Sequence, residues 1–152
     1  MGILIDNQQR RRPINLEMIR ETAQAILDDL GCPEGELSIL FVDDERIQTL
    51  NRDYRLKDHP TNVLSFSMRE GDFSQITPEL LGDVVISVET AAAEAEKAGI
   101  SLGAHMTWLL IHGILHLFGH DHEQSRQQAD DMENRTKQLM KKVKGLIPAD
   151  LQ

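Results

Sequence analysis

The sequence predicts an α+β domain built on one mixed sheet of about four strands covered by helices. Three observations carry that expectation. Short apolar runs at 36–42, 62–68 and 82–87 have the length and patterning of strands. Between them lie segments whose apolar residues recur every three or four positions, as on one face of a helix. The 152 residues, 40% hydrophobic and 27% charged, suit one globular domain spanning 1–152. Strands and helices alternate along the chain, which places helices against a shared sheet.

The elements follow in order. Ile3, Leu4 and Ile5 suggest an edge strand. Asn15 caps a helix whose stripe is Leu16, Ile19, Ala23, Ile26 and Leu30, and Gly31 ends it. ELSILFV, 36–42, alternates Leu37, Ile39 and Phe41 as a strand does. Asp43 or Asp44 caps a second helix through Leu50 towards Tyr54. Pro60 interrupts before the strand NVLSFSM, 62–68, and 69–79 is loop by composition. GDVVIS, 82–87, is the next strand, with Ser87 capping an alanine-rich helix that stops at Gly99. Ser101 opens a helix over 101–118, the most apolar of all and therefore the central one. An amphipathic helix at 124–144, closed by Gly145, completes the set.

The net charge of −9 argues against nucleic-acid binding driven by bulk charge. Two local basic clusters remain, Arg10, Arg11 and Arg12 at one end and Lys137, Lys141, Lys142 and Lys144 at the other. The lysines are explained more economically by the helix dipole and by solubility. Aromatics, at 4%, are too scarce for a reading built on base-stacking platforms. A single Cys32 excludes an internal disulfide and fits a reducing compartment. The N-terminal stretch lacks the layout of a signal peptide, and the apolar run at 106–118 is too short and histidine-rich to span a membrane. A soluble cytoplasmic protein is expected, with neither DNA nor a membrane as partner.

IHGILHLFGHDH, 111–122, holds four of the six histidines. His112 and His116 are four apart, so a helix presents both from consecutive turns of one face. Gly119 can end the helix in a left-handed turn and bring His122 back towards the same ion. The pattern H-x-x-x-H-x-x-G-x-x-H has the ligand spacing of the metzincin zinc site, three nitrogens with an open fourth position. Burying several unpartnered imidazoles would cost roughly 1–3 kcal/mol each, which disfavours their placement as mere core residues. His120 is expected to point away. His105 lies about 10 Å along the axis from His112, too far to share its ion, and His59 is a loop residue. Zinc peptidases carry a glutamate base after the first histidine; here Gly113 stands there, so ordinary peptide hydrolysis loses its base. Asp121 is the nearest replacement, with orientation of a ligand histidine as its other role.

HGILHLFGHDH resembles the signature of the YbeY family of bacterial rRNA-processing endoribonucleases. LNRDYRLKDHPTNVLSFSM, 50–68, and LGDVVIS, 81–87, are similar to two further blocks of that family, in the family's order. The resemblance covers essentially the whole chain. It implies a zincin-like fold with a central metal-binding helix, and His112, His116 and His122 as ligands of one divalent ion. Zinc is the default, although three imidazoles also suit nickel, copper or iron(II). It implies that Arg55 faces the metal across the cleft, where a guanidinium can offset phosphoryl charge. Lys57 and Asp58 would shape the adjoining loop, and Asn62 stands where relatives often have aspartate. The implied activity is cleavage of single-stranded RNA, in maturation of the 16S rRNA 3′ end and in ribosome quality control. The implied partners are 16S rRNA, the small ribosomal subunit and an Era-type GTPase. Two other classes compete: a ribosome-assembly factor with a mainly structural metal, and a metallopeptidase with a relocated base.

Overall fold

The computed structural model describes residues 2–68, 79–119 and 125–143. Strands β1 (Ile3–Asn7), β2 (Glu36–Val42), β3 (Val63–Ser67) and β4 (Leu80–Ser87) form one sheet in the order β1-β2-β4-β3. The first three neighbours run parallel and β3 returns antiparallel along the edge, so the sheet is mixed as expected. The helices are α1 (Leu16–Asp29), α2 (Asp44–Arg55), α3 (Val88–Ala98), α4 (Leu102–Leu117) and α5 (Arg126–Val143).

Capping explains where four helices begin. Asn15, Asp43, Ser87 and Ser101 each accept a hydrogen bond from the backbone N–H three residues on; such a cap contributes about 1 kcal/mol. Of the two aspartates at the start of α2, Asp43 is the cap. Asp44 instead accepts the hydroxyls of Ser87 and Thr90, which ties the first turns of α2 and α3 together. α2 ends at Leu56, a left-handed residue with φ of 59° and no glycine to announce it. β1 runs two residues beyond the expected Ile5, and β4 starts at Leu80, two before Gly82. Of the loop expected at 69–79, residues 69–78 lie outside the described residues, as do 124, 144 and Gly145 at the expected bounds of the last helix.

Strand alternation divides the core in two. Leu37, Ile39 and Phe41 of β2, with Val84 and Ile86 of β4, join the main core formed with α1, α3, α4 and α5. Leu40, Val42, Leu64, Phe66 and Val85 lie on the opposite face, packed with Ile47 and Leu50 of α2. α4 is the buried centre: Leu109, Leu110, Ile111, Ile114 and Leu115 are all essentially inaccessible. Burial of each such side chain stabilises the fold by about 1.5–3 kcal/mol. No single helix among the described residues is long and apolar enough to cross a membrane.

α5 is pinned to α1 by charge as well as by Met132, Leu139 and Val143. Asp29, the last residue of α1, accepts a hydrogen bond from Lys142 and sits 2.9 Å from the Arg135 guanidinium. The Lys142 hydrogen bond, followed by the charges of both cations, holds the Asp29 carboxyl below its ordinary range. A carboxyl depressed in the folded state adds stability above its unfolded value of about 3.9 and loses it as pH falls through the folded value. We expect acid unfolding of the wild type to steepen below about pH 4. Asp29→Asn should be less stable at neutral pH and should lack that component, as denaturant titrations across pH would show.

Candidate active site

α4 carries the two histidines that the spacing singled out. His112 and His116 are both half-buried, with ring centres 6.4 Å apart and planes at 64°. Neutral nitrogen donors on consecutive turns are the chemistry a transition metal takes, and the pair fits that use. Gly119, at φ of 91°, turns the chain left-handed where the spacing required it. His122, Asp121 and His120 lie outside the described residues. Among the described residues no group of three His, Cys, Asp or Glu side chains converges on a metal position.

The face of α4 that bears His112 is a row of rings. Trp108, one turn earlier, stacks on His112 at 3.9 Å and 25°. His105 lies 6.1 Å from Trp108 and nearly parallel to it. His105 itself is engaged elsewhere, with Nε2 2.8 Å from Glu94 Oε1. The same carboxylate accepts the Asn62 amide at 3.1 and 3.3 Å. An aspartate at position 62 would face Glu94 with like charge, whereas the amide bridges it. His105 is thus one end of a polar link between α3, α4 and the start of β3.

Gly113 explains the missing peptidase glutamate. A Cβ there would lie 2.6 Å from Val84 Cγ1 and 3.3 Å from Ser65 Oγ, so α4 presses its backbone onto β3 and β4 at this point. A glutamate would be driven into the sheet, not towards a metal. Ser65 fills the contact and donates its hydroxyl to the Gly113 carbonyl at 2.8 Å.

Ser65 also meets Arg55. The guanidinium donates through Nη2 to the Ser65 carbonyl, and its Cζ lies 5.4 Å from the centre of the Phe66 ring, within cation–π range. Tyr54 packs edge-on against the same ring at 5.6 Å. One strand residue therefore joins Arg55, at the end of α2, to the helix turn that follows His112. Arg55 is exposed, and a guanidinium has five N–H donors, of which the Ser65 carbonyl takes one.

The neighbouring loop is held by its own contacts. Buried Asn51 donates to the His59 carbonyl, and Gln48 donates to Asp58 at 3.0 Å. Lys57 contributes its backbone N–H to Asn51, so Lys57 and Asp58 are seen shaping the loop. The basic clusters are partly occupied: Arg11 pairs with Glu89, Lys137 with Glu133 and Lys142 with Asp29. Ser65, Trp108, Glu94 and Thr136 were not singled out from sequence. Only Trp108 had a signal, its position one helical turn before His112.

Gly113→Ala should cost about 1–3 kcal/mol by overpacking against Val84, read as a shift in denaturation midpoint. Gly113→Glu should abolish folding rather than create a peptidase.

A model of the family described as Endoribonuclease YbeY matches residues 4–144. The Endoribonuclease YbeY of Geobacter sulfurreducens is 47% identical over 140 residues, covering 91% of this chain and 93% of its own. That of Syntrophotalea carbinolica is 45% identical over 146 residues, with 95% and 97% covered. The fold is similar to the solution structure of TM1509 from Thermotoga maritima, at a TM-score of 0.66 and 22% identity over 94% of this chain and 89% of that one. The family model and these relatives agree: the chain belongs to the YbeY endoribonuclease family.

Proposed function

We propose that this protein is a metal-dependent endoribonuclease that cuts single-stranded RNA, acting in the cytoplasm on the 16S rRNA 3′ end and in ribosome quality control. Family membership supports the nuclease class, and the resemblance of the motifs supports the ribosomal role. The observation that supports the site is the double role of Ser65, whose carbonyl accepts from the Arg55 guanidinium and whose hydroxyl donates to the Gly113 carbonyl of the histidine-bearing helix. On this reading the small ribosomal subunit and an Era-type GTPase are the partners. They would bring a protein of net charge −9 to its RNA.

His112, His116 and His122 would hold the ion, with zinc as the default metal. When bound, the ion supplies Lewis acidity at the scissile phosphate. The rest of the work falls to the chain. Arg55 offers N–H donors to the phosphoryl oxygens and offsets the charge that builds on them as the bond breaks. Its Ser65 and Phe66 contacts hold the guanidinium in place before RNA arrives, so little reorganisation accompanies the reaction. Trp108 shields one face of His112 from water. Asp121, beside His122 in sequence, is the candidate proton acceptor.

Wild type, His116→Ala and Arg55→Ala should be analysed for bound metal by elemental mass spectrometry and then given a labelled single-stranded RNA. Wild type should hold about one ion. Arg55→Ala should keep it yet cut at least ~100-fold more slowly, the loss typical of removing one charge-stabilising donor. His116→Ala should lose both. Equal cleavage by all three would dismiss the site as the source of activity and favour an assembly factor with a structural metal.

A further inference from the structure

We infer that Thr136 is a positioning residue for His112: it holds the imidazole in the Nδ1–H tautomer and leaves Nε2 as the metal-facing nitrogen. The inference rests on the metal-site reading above and adds to it a residue from α5. Thr136 is completely buried. Its hydroxyl lies 2.8 Å from the Met132 carbonyl and 3.4 Å from His112 Nδ1. A hydroxyl has one proton and two lone pairs, and a carbonyl oxygen only accepts. The Thr136 proton therefore goes to Met132, and Oγ1 faces His112 as an acceptor. That contact is attractive only when Nδ1 carries the hydrogen. A neutral imidazole protonated at Nδ1 keeps its lone pair on Nε2, the nitrogen then able to bind an ion.

Two further features make the arrangement a device for orientation. Trp108, stacked on the His112 ring, restrains its plane. The Thr136 hydroxyl is held by its hydrogen bond to the Met132 carbonyl one turn earlier, and its helix is locked in the core by Met132, Leu139 and Val143. The contribution of α5 to the site is then one oxygen atom at a fixed place, supplied by a neutral group where metal sites commonly use a carboxylate or a backbone carbonyl.

The test compares wild type, Thr136→Val and Thr136→Ser. In metal-free protein at about pH 8, where an ordinary histidine is neutral, long-range nitrogen–proton NMR correlations report the His112 tautomer directly. Zinc affinity is measured by chelator competition and followed through Trp108, the chain's one tryptophan. The wild type should show Nδ1–H. Thr136→Val, which keeps the shape and loses the oxygen, should lose that tautomer preference and bind zinc ~10–100-fold more weakly, the usual cost of removing an outer partner of a ligand histidine. Thr136→Ser should restore both readings to within about threefold of wild type, well inside that loss. An Nε2–H tautomer in the wild type, or unchanged zinc affinity in Thr136→Val, overturns the inference. Should wild type take up no zinc, the metal reading fails by itself, and the tautomer measurement still decides the role of Thr136. Should Thr136→Val not fold, the wild-type tautomer and the Ser variant decide it.

Discussion

The structure depends on one close approach, that of α4 to the sheet at Gly113. With no side chain at that position, the helix backbone settles onto Val84 and Ser65, and the strand answers with a hydrogen bond to the helix carbonyl. The proposed site is arranged around that contact. His112 precedes it by one residue, Ser65 lies beneath it, and the Ser65 carbonyl holds Arg55. Interiors packed at crystal-like density do not let such a contact slide, so Ser65 ties the Arg55 guanidinium to the helix that carries the histidines.

The two-sided sheet gives that contact its consequence. α4 lies with the main core on one face and α2 with the smaller core on the other. β3 is the edge strand between them. Arg55, at the end of α2, reaches this edge because the helix stops at a left-handed Leu56 and the loop beyond is tied back through Asn51 and Gln48. Backbone conformations of this kind in non-glycine residues cost of order 1–3 kcal/mol and concentrate where function requires a particular placement. On the proposed reading, a ligand meeting the edge would encounter nitrogen donors from one layer and a cation from the other. That pairing suits a phosphodiester, which needs charge offset on its non-bridging oxygens. It does not suit a peptide, whose hydrolysis at such a site draws on a base after the first histidine, where only glycine fits.

Much of this was legible in the sequence. Asn15, Ser87 and Ser101 announced helix starts because capping is local chemistry between a side chain and an N–H three residues on. β2 and the helix of the histidines were visible because their periods differ. The spacing of His112 and His116 translated directly into a shared face, and Gly119 into a left-handed turn. What escaped had no local signal. Leu56 ends α2 without glycine or proline. Ser65 is one of several serines, and only the register of β3 against β4 brings it beneath Gly113. Gly113 itself read as the absence of a base, whereas its meaning is steric and set by Val84, 29 positions away in sequence. Thr136 is separated from His112 by 24 residues and joined to it only when α5 docks.

The central claim is that the histidine face of α4 and Arg55 act on the same phosphate. It is tested most directly by a crystal structure of the zinc-loaded protein with a non-cleavable single-stranded RNA, with the ion located by anomalous scattering. The ion should lie on His112, through Nε2, and on His116, with a non-bridging oxygen of one phosphate beside it and the Arg55 guanidinium on the same phosphate. An ion elsewhere, or RNA seated away from Arg55 while the Ser65 contact persists unchanged, would contradict it.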